Sequence, residues 1–599
     1  MKNNFKILIA LFIVFTGLNN KLVAQKKAII HSHNDYKQSM PFWNAFANGA
    51  TSFEADIFLK DNNLYVAHDL KDIHPSKTLE NLYLKPLENV LKPEYQQDKK
   101  LILLIDIKSE AVATLARLIT TLKAHPAIIS NKNIQIIISG NRPKALNYVN
   151  YPEYIFFDYQ ELGTEVASEI WHKIGMVSLN FKRFSEWNGK GRLTHDDEKR
   201  VAAVISKAKN TYKPFRFWAS PDSKRAWRVL SEMGVDIINT DHPFKCVNYF
   251  KSLSERVVIS DTFSDVYAPT FKADQKDLPV KNIILLIGDG NGLAQISATT
   301  LMNKGQLSLT QLKSIGFIKT QAADDFTTDS AAAGTALATG VKTNNRAIGT
   351  DVNGKPLESI TELLHKENFS TAVISTDNIL GATPASFYAH AIDRSDDSVI
   401  AKDLLNSKLN LFIGGGAATF KESTIDARFN ILPSISDLNT TTADKVGIFM
   451  SEHGMKSIID GRGNVLAEAT KTGLAFLKQK KKPFFVMIEA AKIDHAGHSN
   501  DTAGILAESI DFDKAITEAL LFADNNPETL VIITADHETS GFSIPQGDVK
   551  KHEIEGDFAS YDHTAIMVPI FAYGAQSNKF QGVYENNEVF HKILKVLKK

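Results

Sequence analysis

Cysteine is nearly absent from this chain: Cys246 is the only one in 599 residues. No intrachain disulfide can form, so an exported protein of this sequence rests on packed cores and bound metals. An excess of charge is missing too, with 68 Lys+Arg against 68 Asp+Glu. That balance excludes a general nucleic-acid or polyanion binder, which needs a basic surplus. Sustained apolar runs are scarce. The most prominent, residues 7–18, falls short of the ~20 residues a membrane-spanning helix requires. Internal repeats and low-complexity tracts are not visible. What remains is ordinary globular composition, 43% hydrophobic and 23% charged, and a length that suggests about two to four domains.

The N-terminal run has its own reading. Lys2 and Lys6 precede it, and Leu22-Val23-Ala24 offers a small-residue cleavage site. This is the layout of a secretory signal peptide over residues 1–24, which predicts a periplasmic or secreted protein with no stable membrane anchor after cleavage. Removing it takes three lysines and no acids, so the mature chain has 65 basic against 68 acidic residues, a net of −3.

Residues 25–252 read as a β/α barrel. Short apolar, β-branched runs at 27–31, 51–57, 101–107, 134–139, 154–158, 175–179, 215–218 and 235–239 alternate with helical stretches. Eight such strands imply a closed parallel barrel, whose reactive groups sit at the strand carboxyl ends. Polar residues fall there: His31 and His33 after the first run, Glu54 and Asp56 on one face of the second, His68 after a short extra strand, and Asp106 and Lys108 at the third. Carboxylates facing one another repel unless a cation joins them, which suits Ca²⁺ or Mg²⁺, with histidines as general acid and base.

These segments, with "GATSFEADIFLKDNNLYVAHD" (49–69), "LLIDIK" (103–108) and "GVDIINTDHP" (234–243), resemble the glycerophosphodiester phosphodiesterase and phosphatidylinositol phospholipase C-like barrels. The resemblance implies Glu54, Asp56 and Asp106 as metal ligands, and His68 with His31 or His33 as the acid–base pair. Two departures stand out. The family's His-Arg-Gly opening is "HSHND" here, which removes a phosphate-binding Arg. Asp106 stands where Glu is usual.

Residues 253–280 read as a linker. Beyond it, strand-like runs at 282–287, 371–375, 409–413, 483–488, 530–534 and 566–572, with a helix over 502–522, give an open doubly wound α/β pattern. Asp289, Glu489, Asp494, His498, Asp536 and His537 follow or end strands, and His563 lies in a loop before one. Mixed Asp and His suit Zn²⁺, whereas Asp with Glu and Thr suits Mg²⁺. Ser330 opens an Ala-rich helix, where free N–H groups favour a phosphoryl group. Thr383 and Arg394 follow in "GATPASFYAHAIDR" (381–394), and an Arg can grip two phosphate oxygens.

In order, residue type and spacing, residues 281–599 resemble the alkaline phosphatase family. That resemblance implies Ser330 as nucleophile, Asp494, His498 and His563 on one zinc, Asp289, Asp536 and His537 on a second, Asp289, Thr383 and Glu489 on magnesium, and Arg394 on the phosphate. Gly381 departs from the family's Asp or His there, which predicts altered magnesium dependence. The fold expected is therefore a TIM-like (β/α)8 barrel followed by an alkaline-phosphatase-like α/β sandwich. The function expected is phosphate monoester hydrolysis on small phosphate esters, with a barrel that cleaves phosphodiesters to feed it. Alternatives are a non-catalytic binding barrel, or a sulfatase or mutase of the same superfamily. Monomer or homodimer stays open.

Overall fold

The computed structural model describes residues 28–95, 98–162, 167–260, 263–421 and 423–598; the signal-peptide segment, residues 1–24, lies outside the described residues. The chain divides into two compact units at Leu253/Ser254.

The first unit closes eight parallel strands into a barrel: Ile29–Ser32, Ser52–Lys60, Leu101–Ile107, Ile134–Gly140, Ile155–Tyr159, Ile174–Asn180, Phe215–Trp218 and Ile237–Thr240. Closure comes where Ile29–Ser32 pairs with both Ser52–Lys60 and Ile237–Thr240. A ninth strand, Asn63–Val66, is an antiparallel hairpin on Ser52–Lys60. The eight runs read from sequence are these eight strands, with ends shifted by a few residues. Ile102, Leu104, Ile137, Met176 and Ile237 fill the lumen below the carboxyl ends. Above them the inward positions turn polar, at His31, Glu54, Asp56, Asp106 and Asp158. A packed floor under a polar mouth is what places a barrel's chemistry at that end.

The second unit is built on a ten-stranded sheet. Its four central strands lie side by side and parallel, in the order Ser370–Asn378, Phe484–Ala490, Asn282–Gly288 and Thr529–Thr534. Alternate residues of Asn282–Gly288 enter separate cores, Ile283, Leu285 and Ile287 on one face and Ile284 and Leu286 on the other. A strand buried on both faces must be apolar throughout, which is why these four are legible in the sequence. The sheet is mixed: Val568–Gly574 runs antiparallel to both Thr529–Thr534 and Ser314–Lys319. Ser314–Lys319 is not among the strands that the sequence pattern predicts, nor are Val446–Phe449 and Gly582–Glu585, which extend the sheet outward.

Of residues 253–280, read as a linker, those from Ser254 onward fall within the second compact unit. Val257–Ile259 pairs with Glu553–Asp557, Tyr267 and Thr270 donate to the Asp524 carboxylate at 2.6 Å each, and Ser577 donates to Asp274. Such a segment lacks periodicity because a short strand pairing, scattered apolar contacts and side-chain hydrogen bonds hold it, not one continuous buried face.

Candidate functional site

In the second unit, three neighbouring strands deliver their ends to one place. Asp289 follows Asn282–Gly288, Glu489 lies near the end of Phe484–Ala490, and Asp536-His537 follow Thr529–Thr534. Register fixes this, since Ile287 pairs with both Glu489 and Thr534. Asp494 and His498 sit four apart on helix Lys492–His498, hence on one face. His563 arrives on a two-residue strand whose partner is Thr539.

The side chains converge. Asp289, Asp536 and His537 offer ligand atoms within 4.8 Å of one another, as do Asp494, His537 and His563, and His498, Asp562 and His563. His498 Nε2 lies 3.3 Å from Asp494 Oδ1. The imidazoles are oriented from behind. His498 Nδ1 donates to the Tyr561 carbonyl at 2.6 Å, His563 Nδ1 donates to that of Thr328 at 2.8 Å, and His537 Nδ1 lies 3.2 Å from Thr539 Oγ1. This leaves each Nε2 facing the cluster, the arrangement in which histidines bind metals. Asp289 Oδ1, Asp536 Oδ2 and Thr383 Oγ1 are buried without hydrogen-bond partners.

The electrostatics fit the same picture. Burial, with repulsion from Asp536, Asp494 and Glu489, pushes Asp289 well above the ordinary carboxylate range. Burial also raises Glu489 to about 7; a Ser375 hydrogen bond opposes that rise and the Asp536 charge adds to it. Burial opposes ionisation at Asp494 as well, but His563, His537 and His498 hold it below its usual value. His563 rises to about 9: burial disfavours its charge, and Asp494 outweighs that. Carboxylates that cannot all ionise together are those a cation would neutralise.

Ser330 is the first residue of helix Ser330–Thr339 and is buried, with Oγ 3.3 Å from His537 Nε2. Asp329 caps that helix by accepting from Ala332 N, and also receives Arg394 Nη1 at 3.1 Å. So the cap ties Arg394 to the start of the serine helix. Sequence reasoning missed Asp377, at the end of Ser370–Asn378. Lys492 donates to it at 2.6 Å and His495 lies 3.2 Å away. Although burial opposes ionisation, His495 and Lys492 pull Asp377 down to about 2.

In the barrel, Glu54, Asp56 and Asp106 cluster as expected. Lys108 Nζ lies 3.2 Å from both Asp56 and Asp106. Asp106 is raised to about 6 by burial; Lys108 opposes the shift, and Glu54 and Asp56 reinforce it. The three histidines separate in character. His31 is fully buried, between Ser52 Oγ at 2.7 Å and Glu54 Oε2 at 2.8 Å, and burial lowers it to about 4. His33 reaches Asp241 at 2.7 Å and His68 reaches Asp56 at 2.9 Å, each with a solvent-accessible side chain. A cavity of about 1390 Å³ opens beside Lys108, lined also by Asn141, Arg142, Gln160 and Arg183.

Residues 280–431 and 430–556 match the alkaline phosphatase family. Alkaline phosphatase 4 of Bacillus subtilis (strain 168) is 31% identical over 417 residues, covering 54% of this chain and 90% of that protein. The chain belongs to the alkaline phosphatase family. The Escherichia coli (strain K12) alkaline phosphatase is 28% identical over 402 residues, covering 53% of this chain and 85% of its own length. The solved alkaline phosphatase of the Antarctic bacterium TAB5 is 40% identical, with a TM-score of 0.51, over 54% of this chain and 99% of its own. The barrel is outside those matches. Residues 22–158 match an AIM6-like phosphodiesterase domain, and residues 214–243 the glycerophosphoryl diester phosphodiesterase family. This alkaline phosphatase is thus a phosphomonoesterase that also carries a phosphodiesterase-like domain. No helix among its described residues is long and apolar enough to cross a membrane.

Proposed function

We propose that this chain is an exported, metal-dependent phosphomonoesterase working through a phosphoserine on Ser330, and that its barrel cleaves phosphodiesters to supply monoesters. The observation that carries the first part is the placement of Ser330. Its hydroxyl lies beside His537, at a helix N-terminus whose free N–H groups favour an incoming phosphoryl group.

The donor set fits two Zn²⁺ and one Mg²⁺. Asp494, His498 and His563 would hold one zinc, Asp289, Asp536 and His537 the other, and Asp289, Thr383 and Glu489 the magnesium. The unpartnered oxygens of Asp289, Asp536 and Thr383 are the atoms such ions would satisfy. A variant of the TAB5 enzyme has Mg bound. When bound, the ions ease deprotonation of the serine hydroxyl and of the hydrolytic water and balance charge on the transferring phosphoryl group. Ser330 Oγ attacks phosphorus and the ester oxygen leaves; water then breaks the phosphoserine. Arg394, tethered by Asp329, would pair with phosphate oxygens through its remaining N–H groups. In the barrel, Glu54, Asp56 and Asp106 would hold Ca²⁺ or Mg²⁺, and Asp56 Oδ1 is likewise unpartnered. His33 and His68 are the accessible proton-transfer pair.

Ser330→Ala should lower kcat for p-nitrophenyl phosphate at least ~10³-fold with metal content unchanged. Turnover at the wild-type rate would overturn the serine mechanism. Turnover of the matching sulfate ester above that of the phosphate would favour a sulfatase. Export predicts a mature N-terminus at Gln25, read by N-terminal sequencing.

A further inference from the structure

The sequence lacks the Arg that opens the barrel family's motif, yet the lumen contains another. Arg216 lies on strand Phe215–Trp218, and its inward direction is fixed by its partner. Arg216 Nη2 donates to Glu54 Oε2 at 3.2 Å, and both side chains are only 5% exposed. Its Nε and Nη1 are buried without any partner. A guanidinium is never deprotonated in a protein, and unsatisfied buried donors on it are costly.

Its surroundings point to a ligand. Asp56, Asp158 and Asn239 each carry a buried side-chain oxygen with no partner, and Trp218 an unpartnered indole N–H two residues along Arg216's own strand. Residues two apart share a face, so Trp218 opens toward the same lumen. Asp158 is otherwise engaged, receiving Ser139, Ser178 and Gln160 on its second oxygen. Formal charge sharpens the picture. Glu54, Asp56, Asp106 and Asp158 oppose Lys108 and Arg216, a net of −2 that one divalent cation cancels. With that cation in place, a monoanion meets unspent donors on Arg216 without facing uncompensated carboxylates.

We propose that Arg216 is the phosphoryl-binding residue of the barrel, gripping the non-bridging oxygens of a phosphodiester monoanion through Nε and Nη1 while Nη2 stays on Glu54. The missing motif arginine is replaced from the opposite side of the closure, by a strand more than 180 residues downstream. This inference rests on the reading of the barrel as a diester site. It names the group that recognises the substrate, separately from the groups that transfer protons.

The test uses the full chain carrying Ser330→Ala, loaded with Zn²⁺, Mg²⁺ and Ca²⁺. Binding of bis(p-nitrophenyl) phosphate is followed by calorimetry, and its cleavage by p-nitrophenolate release. Adding Arg216→Gln should weaken diester binding at least ~10-fold, with Ca²⁺ affinity held within about 3-fold. Arg216→Lys keeps a cation on Glu54 and guards against misfolding. It should still bind several-fold more weakly than Arg, because an ammonium cannot present two parallel donors. Diester binding that depends on Arg216 without any cleavage would overturn the diesterase reading and leave this assignment standing. Equal diester binding by parent and both variants, or none by the parent, would overturn the assignment.

Discussion

Gly381 stands where the family resemblance leads one to expect Asp or His. Its φ of −55° is open to any residue, and an added Cβ would meet only the Asn378 carbonyl at 3.0 Å and the Pro384 ring. The φ does not demand glycine there, and a side chain fits if the Asn378 carbonyl yields by a few tenths of an ångström, so the main consequence is chemical. The position lacks a carboxylate or imidazole beside Thr383, and Asp377, on the preceding strand, is engaged by Lys492 and His495. Groups behind a metal's ligands commonly change affinity ~10–100-fold. Gly381→Asp should therefore tighten Mg²⁺ binding about tenfold, measured by Mg²⁺ titration of chelated and dialysed protein. An unchanged dissociation constant would place the magnesium determinants elsewhere. At this same scale, residue type and spacing alone expose Glu54, Asp289 and His537. Arg216 and Asp377 stay hidden from such a reading, because a single Arg or Asp inside an apolar run carries no spacing signal.

Elements show how local sequence holds a site in place. Helix Ile360–Lys366 begins with a capping box, Ser359 to the Glu362 N–H and the Glu362 carboxylate back to the Ser359 N–H. The same carboxylate lies 3.5 Å from His390 Nε2. That pair raises His390 above its ordinary value of 6.5, through the Glu362 hydrogen bond, against the opposing effect of burial. The sign follows directly. A histidine whose folded pKa is raised stabilises fully below about pH 6.5 and loses that contribution as pH rises through the folded value. His390→Gln should lower Tm at pH 6 but leave it nearly unchanged at pH 9, in thermal melts across that range. An equal loss at both pH values would mean that packing, not protonation, is His390's contribution.

For the whole molecule, the two compact units each contain a cluster of candidate metal ligands. Substitutions without shared partners act additively. Asp56→Asn should leave p-nitrophenyl phosphate turnover within about 2-fold of wild type, while removing cleavage of bis(p-nitrophenyl) phosphate. Ser330→Ala should do the reverse. With glycerophosphodiesters as substrate, inorganic phosphate should appear only when both sites are intact. Phosphate release by Asp56→Asn at the wild-type rate would remove the barrel from that sequence of reactions. Coupling through a shared chain raises local concentration, although a small monoester diffuses away quickly.

By itself, the sequence determined both fold classes and most of the residues proposed for each site. Strands buried on two faces must be continuous apolar runs, so the barrel and the central sheet were written in composition, and their carboxyl ends marked where polar chemistry would fall. It also determined which ligand types were available. Only the tertiary structure decided which of them meet. It sealed His31 against Glu54 and left His33 and His68 accessible, bound Arg394 to the Asp329 cap, and folded residues 254–280 onto the second unit. It also carried Arg216 from the seventh barrel strand to Glu54 on the second. The physical reason is common to all of these. Periodicity records which face of an element is buried, whereas a contact between side chains far apart in sequence depends on closure and register, which no local pattern encodes.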